Sequence, residues 1–478
     1  MTRSLYAACG AALLIGGCSF TPPPIDLAMP VPQAWPNALD ATDGEPARAI
    51  GWRGIFADPA LQAVIAQALE NNRDLRIAVL RVEEARAAYR IQAAQALPAV
   101  NGQAGLGRGQ TPADLTGVGR SLTATQYSAD LNLSWELDFW GRVRSLEGAA
   151  LERWLASEEG ARAATVSLTA AVAATWVSVR ELDERIALAD RTLETRRDAA
   201  RIARRRYEVG SSSRFDMVQA ETLLAQAESE RISLEQAREQ ALNGLALVVG
   251  APVETSPAPL AAVEQAMLTD LPAGLPSRLL ADRPDIRAAE HALRAAEGDI
   301  GAARAAYFPR IALTGLLGSA STDLDHLFSG PENRQWSLAG AASAPIFDAG
   351  RTRANVTVAT VRREIAVADY ERTVQTAFRE VSDALAARRN LARQVEVGER
   401  SLAALTERSR LAQLRYANGA AAYLEVLDAE RDRFAAEQAL VVTRAARLSN
   451  QITLYAALGG GDLGAVPVGQ RSSEPVRP

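Results

Sequence analysis

The chain has 478 residues, with 52 basic against 57 acidic side chains and a formal net charge of −5; every basic residue is an arginine. No basic block or stripe stands out, which removes the electrostatic case for nucleic acid. Two histidines and two cysteines argue against a His/Cys metal site or a cysteine–histidine nucleophile. Only 5% of residues are aromatic while Ala, Leu, Val, Arg and Glu dominate, a composition of long helices and coiled coil. No apolar run of about 18 residues follows the amino-terminal segment, so no transmembrane helix is expected.

Residues 1–18 read MTRSLYAACGAALLIGGC. Arg3 supplies a positive start and Leu5 to Ile15 an apolar stretch, which together predict a signal peptide over 1–17. Ile15-Gly16-Gly17-Cys18 resembles a bacterial lipobox. Small residues thread a peptidase, and only a cysteine thiolate can form the thioether to a diacylglycerol. Cys9 leaves with the signal, and no other cysteine follows Cys18. A lone thiol in an oxidising compartment is a liability unless capped. Diacylglycerol and an N-acyl lipid on Cys18 are therefore expected, with no other cofactor. Ser19 stands where an aspartate would, by resemblance to the enterobacterial sorting rule, hold the protein at the inner membrane. Pro22, Pro23, Pro24, Pro30, Pro32 and Pro36 make the segment 18–60 extended.

The remainder duplicates itself. Asp74-Leu75-Arg76 returns as Asp285-Ile286-Arg287, and Pro98 returns as Pro309. Gly141-Arg142-x-Arg144 returns as Gly350-Arg351-x-Arg353, Arg206-Tyr207-x-x-Gly210 as Arg415-Tyr416-x-x-Gly419, and Ala220-Glu221 as Ala429-Glu430. A nearly constant offset over such a span marks a duplicated domain, far longer than a solenoid repeat. Repeat 1 spans 61–250, a connector 251–276, repeat 2 277–460 and a flexible tail 461–478. Each repeat reads helix–strand–strand–helix–helix. In the first, a helix at 61–96 precedes strands within 99–139. A very long helix at 142–207, a turn at Gly210 and a helix at 214–248 follow. The second gives a helix at 277–307, strands within 310–347, a helix at 351–416, a turn at Gly419 and a helix at 422–458. Pro98 and Pro309 stop the helices that precede the strands.

From Gln126 to Phe139 the alternation does not break. Tyr127, Ala129, Leu131, Leu133, Trp135, Leu137 and Phe139 point one way; Gln126, Ser128, Asp130, Asn132, Ser134, Glu136 and Asp138 point the other. Three acids on one face, the length and the aromatics near both ends favour a membrane barrel with a wet lumen over a sandwich strand. The first strand is glycine-rich, and those of repeat 2 alternate less sharply. The long helix would run roughly 100 Å. Val172, Val179, Ile186, Leu193, Ala200 and Tyr207 repeat every heptad, with Leu168, Thr175, Leu182 and Ala189 as companion row, the seam of a coiled coil.

Four strands cannot close a barrel, since outer-membrane barrels begin at about eight, and an open sheet edge in lipid is prohibitive. The chain must join copies of itself; three would supply twelve strands. The expected fold is mainly α with a transmembrane β part, the helices continuing its wall below the membrane.

Three motifs closely resemble the TolC/OprM family of outer-membrane efflux channels, in its lipoprotein (NodT-type) branch. They are Leu279-Leu280-x-x-Arg283-Pro284-Asp285-Ile286, Ala302-x-x-Ala305-x-Tyr307-Phe308-Pro309-x-Ile311, and Arg415-Tyr416-x-x-Gly419-x-x-x-Tyr423-Leu424-x-x-Leu427-Asp428-Ala429. The resemblance covers about 52–458. It implies a lipid-anchored homotrimer of the bacterial outer membrane, a trimeric 12-stranded β-barrel continued by a long periplasmic α-helical barrel, docked to a periplasmic adaptor and an inner-membrane pump of the resistance–nodulation–division class. It implies multidrug or other small-compound efflux and no enzymatic activity. It also implies an iris at the periplasmic tip, with Glu425 and Asp428 as a carboxylate ring and Leu424 as a hydrophobic collar. A tip lock would join Tyr416 to Asp216; the cationic partner some members use falls at Ala421. Gly210 and Gly419 supply the tip turns. Two other readings compete: a type I protein-secretion conduit, and a structural coiled-coil envelope lipoprotein. No phosphate loop, nucleophile–base constellation or metal site is found.

Overall fold

Two passes of helix, paired strands and long helical hairpin follow one another along the chain. The computed structural model describes residues 20–23, 31–32, 35, 51–117, 119–267 and 282–461. The signal peptide, Cys18, most of the proline-rich segment, Leu279, Leu280 and the tail beyond 461 lie outside the described residues.

A single turn, α1 (Trp52–Ile55), leads to α2 (Pro59–Asn71). Pro59 costs nothing in the first turn, where its missing donor would be unpaired anyway, and Asp58 caps the helix by accepting from Ala60 N at 2.9 Å. The expected single helix over 61–96 is two helices. Asn72 divides them: its extended backbone ends α2, its Oδ1 accepts from Leu75 N at 2.7 Å to start α3 (Arg73–Ala94), and its Nδ2 donates to Val248 O at 2.7 Å. An asparagine that can cap the next helix competes with continuing the first.

The strands are β1 (Ala99–Thr111), β2 (Leu122–Leu137), β3 (Arg310–Ser321) and β4 (Arg334–Ser343), in that spatial order and antiparallel throughout. The register sorts the side chains by face. One cross-strand row reads Gly102, Leu131, Leu317, Trp336, and the next Val100, Leu133, Gly315, Leu338. The opposite face carries Gln103, Asp130, Gly318, Gln335 and then Asn101, Asn132, Leu316, Ser337. The apolar face is open: Leu131 is 52% and Trp336 77% exposed. The weak alternation of β3 has a cause at Gly318. A Cβ there would lie 2.2 Å from Asp130 Oδ1 and 2.4 Å from Ala129 O. The glycine leaves room for Asp130 to accept from Gln335 Nε2 at 2.7 Å across the sheet.

Two 67-residue helices, α4 (Arg142–Glu208) and α8 (Arg351–Ala417), leave the sheet and turn back into α5 (Arg214–Val249) and α9 (Tyr423–Ala457). Between the passes lie α6 (Leu260–Ala266) and α7 (Pro284–Ala305). Asp138 caps α4 through Val143 N and Arg144 N, at 3.0 and 2.9 Å. Asp348 does the same for α8 through Thr352 N at 2.8 Å. The heptad seam of α4 is buried at Val172, Val179, Leu193 and Ala200, but Tyr207 at its end is exposed. One stretch of α4 is, by length and composition, apolar enough to cross a membrane, contrary to expectation, and half of it is buried. Val172, Ala173, Trp176, Val177 and Val179 are all buried along this helix. A helix packed on several sides is apolar around most of its circumference.

The chain divides into two compact units that do not follow the repeat. Unit one is Met1–Ala28, Arg81–Glu158 and Ala288–Tyr370, which includes the whole sheet; unit two is Met29–Leu80, Glu159–Arg287 and Glu371–Pro478. Trp176, Leu448, Ile452, Tyr455 and Phe56 are buried in unit two, and the Phe56 and Tyr455 rings meet edge to face with centroids 5.2 Å apart. Arg283 of the Arg-Pro-Asp motif is buried there. It donates to Glu380 Oε2 and Ala457 O, both at 2.8 Å, and reaches Asp285 through two nitrogens at 3.0 and 2.6 Å.

Candidate functional site

The two hairpin tips of unit two hold every predicted site residue among those described. The first turn follows α4. Gly210 has φ +75°, Gly210 N donates to Tyr207 O at 2.9 Å, and Ser211 N donates to Arg206 O at 2.8 Å. The second repeats it bond for bond: Gly419 has φ +69°, Gly419 N donates to Tyr416 O at 3.0 Å, and Ala420 N to Arg415 O at 2.8 Å. Both glycines take the left-handed conformation that a Cβ resists.

The helices that leave the turns start differently. Ser213 and Asp216 form a reciprocal capping box on α5: Asp216 N donates to Ser213 Oγ at 3.2 Å, and Asp216 Oδ2 accepts from Ser213 N at 3.2 Å and from Ser213 Oγ at 2.8 Å. At the same offset, the second hairpin has Ala422 and Glu425. Alanine has no hydroxyl to accept from the helix or to donate to the Glu425 carboxylate. That carboxylate pairs with Arg415, at 3.1 Å.

Asp428 pairs with Arg431 one turn on, at 3.2 Å. Glu425 and Leu424 are exposed, and Asp428 is half-buried. Glu425 and Asp428 lie three apart at the start of α9, on one face of the helix. Glu425 has Arg415, and Asp428 shares Arg431 with Asp432, so the tip presents ion pairs where bare carboxylates were expected. Such exposed pairs contribute about 1 kcal/mol or less to stability, yet they cancel much of the local charge.

Tyr416 and Asp216, the residues of the expected tip lock, have other partners within the chain: Asp216 Oδ2 accepts from Ser213. The Tyr416 hydroxyl accepts instead from Arg206 Nη1, and the guanidinium stands 5.6 Å from the ring centroid. Tyr416 also packs against Tyr423, ring centroids 5.0 Å apart, on a cluster of Ala412, Val426 and Ala429. Burial, then the nearby Glu430, pushes the Tyr423 hydroxyl pKa up. Sequence reading missed Arg206, Arg415 and Arg431. The repeated Arg-Tyr-x-x-Gly was the available signal for the first two, but an arginine's partner cannot be read from its position alone.

The sequence pattern of the family "outer membrane efflux protein" matches residues 64–251 and 275–460. The chain is 40% identical over 466 residues, 96% of each chain, to the toluene efflux pump outer membrane protein TtgC of Pseudomonas putida. It is 39% identical over 454 residues to the cation efflux system protein CusC of Escherichia coli, covering 94% of this chain and 97% of that one. Among solved structures, the open state of the Neisseria gonorrhoeae MtrE outer membrane channel superposes with a TM-score of 0.84 at 37% identity, over 94% of this chain and 100% of that one. With the repeat, the four-stranded sheet and the paired hairpin tips, these matches establish that the chain belongs to the outer membrane efflux protein family.

Proposed function

We propose that three copies of the chain form one passive outer-membrane conduit, which does no chemistry and takes its energy from partners. The observation that carries this is the sheet, with one apolar face and an unpaired edge at each end. An even number of antiparallel strands leaves β1 and β4 running in opposite directions. The β4 of one copy can therefore pair antiparallel with the β1 of the next, and a ring of three gives twelve strands with no edge left in lipid. The segments beside those edges carry exposed apolar side chains: Ile91 and Leu97 before β1, and Val358, Val361 and Ile365 on α8 after β4. In a closed ring these face each other across the joint between copies. A coiled-coil tether would leave the apolar face of the sheet without a role.

The tips would meet a periplasmic adaptor, and through it an inner-membrane pump of the resistance–nodulation–division class. TtgC is named for toluene and CusC for cations, so the cargo is small and is selected by the pump. Leu424, Glu425 and Asp428 would line the constriction. Lipidation of Cys18 is supported from its neighbour: Phe20 stacks on Phe308, which stacks on Trp140, each at 4.8 Å, and Trp140 Nε1 donates to Pro309 O at 2.8 Å, beside the start of β3. The lipid would then enter the membrane at one end of the sheet. Intact mass of the mature protein tests this, since acyl chains on an amino-terminal Cys18 are expected and any other start overturns it.

The test of the conduit is the purified protein in detergent and in planar bilayers. A trimeric mass with single-channel conductance is expected; a monomer that inserts without conducting would overturn the reading.

A further inference from the structure

Two arginines stand on the apolar face of the sheet. On β1, Leu106 pairs with Tyr127 and Arg108 with Thr125, so Arg108 lies on that face two residues beyond Leu106. On β4, Arg334 pairs with Ser319, which pairs with Ala129, so it shares the face with Trp336 two residues on. Both lie toward the hairpin connections, away from the strand ends that lead into α4 and α8. The hydrocarbon stops at both positions. Past Leu106 and Tyr127 the residues of this face are Arg108, Gln110, Thr125 and Thr123, all polar. Arg334 is the first residue of β4, and the 3₁₀ turn before it, Pro331–Asn333, is irregular backbone that lipid excludes.

Neither charge is compensated. The third arginine of the strands, Arg310, is on the opposite face, and its guanidinium meets the Glu136 carboxylate at 2.6 Å. Arg108 and Arg334 are exposed and have no ion pair or side-chain hydrogen bond among the described residues. The acid nearest Arg334 in sequence, Glu332, lies against Gly330. Arg108 belongs to one edge strand and Arg334 to the other. When the β4 of one copy pairs with the β1 of the next, Arg334 and Arg108 therefore flank the joint, and two like charges there repel unless an anion joins them.

We propose that Arg108 and Arg334 form, at each joint between copies, a binding site for the phosphate headgroup of an anionic lipid in the outer leaflet. A guanidinium presents a planar fork that matches phosphate oxygens, and the membrane surface is where a lipid-facing arginine costs least. Leu106 and Trp336, exposed directly beneath the two charges, supply the surface for the acyl chains. That apolar surface assigns the site to a lipid, since free phosphate has no use for it.

This inference rests on the conduit reading, and one set of measurements separates the two. The full-length protein in neutral detergent is titrated with diphosphorylated lipid A, with its dephosphorylated form and with inorganic phosphate. Native mass spectrometry reads the oligomer and the lipid it holds. The trimer is expected to bind the diphosphorylated lipid about tenfold tighter than the dephosphorylated one, the scale of one hydrogen bond to a charged group. Arg108→Gln and Arg334→Gln should each lose about that factor, while single-channel conductance stays at the wild-type value. Raising the salt from about 0.1 M to 1 M should weaken wild-type binding in the same sense, and this carries the test should a glutamine variant fail to assemble. Equal binding of the two lipids, variants that bind like wild type, or inorganic phosphate that displaces the lipid at equal concentration would overturn the site alone. A protein that stays monomeric would overturn the conduit reading and the joint with it.

Discussion

Arg180 and Asp183 stand one turn apart on α4 and form a buried ion pair at 2.9 Å, with side chains 7% and 2% exposed. The other Asp183 oxygen accepts from Arg238 Nε of α5 at 2.5 Å, and Ala258 N of the connector donates to Oδ2 at 3.2 Å. Arg180 in turn donates to Ser256 O at 2.6 Å. One carboxylate thus ties a long helix, its hairpin partner and the connector between repeats.

Removing that acid takes the carboxylate from two guanidiniums, one of them buried. Asp183→Ala should cost about 3–5 kcal/mol, the usual penalty for breaking a buried pair from one side. Thermal melting of the helical circular dichroism signal reads this. An unchanged midpoint would mean that water reaches the site and the pair is dispensable.

The sheet makes opposite predictions at adjacent residues. Leu131→Arg puts a charge in the apolar row with Leu317 and Trp336 and should cost about 2–4 kcal/mol near the bilayer midplane. Asn132→Arg adds the same charge to the polar face, where Asn132 Nδ2 now donates to Gln103 Oε1 at 3.5 Å, and should be tolerated. Outer-membrane levels and the fraction of folded trimer distinguish them; equal tolerance would exclude a lipid-facing sheet.

At the tip, the arginines set the sign of the outcome. With Glu425 and Asp428 both changed to alanine, Arg415 loses its carboxylate and Arg431 keeps only Asp432, so ion selectivity should move toward anions rather than merely fade. Arg415→Ala with Arg431→Ala frees both carboxylates and should move it toward cations. Reversal potentials in a salt gradient report the direction. Selectivity that ignores both pairs would place the constriction elsewhere.

Alkaline stability should depend on Tyr455. Burial pushes its hydroxyl pKa up from the ordinary 10.0, and its Oη is buried without a protein partner. The folded state keeps the neutral phenol. Its contribution is therefore complete below pH 10 and is lost above it, where the unfolded chain gives up the proton first. Tyr455→Phe should flatten that alkaline loss and, by removing an unsatisfied polar group, stabilise by about 1 kcal/mol at neutral pH. Melting curves between pH 7 and 11 check both; a steeper alkaline fall in the variant would contradict them.

Much of this protein was legible along the chain. The duplication, the strand pairs, the two long helices and both tip turns follow from offsets, heptads, alternation and glycine. These are properties of neighbouring residues and survive without knowledge of what packs against them. The face of β2 was readable for the same reason: alternation assigns sides before any partner strand is known. Other features were decided only in three dimensions. Asn72 splits a helix because it can cap the next one and reach Val248. Gly318 interrupts a pattern to make room for Asp130. Asp216 caps its own helix with Ser213, and Arg206 donates to the Tyr416 hydroxyl. An arginine side chain is long and flexible and has several acids or hydroxyls within reach. Which one it meets is settled by how the hairpins pack, not by where it stands in the sequence.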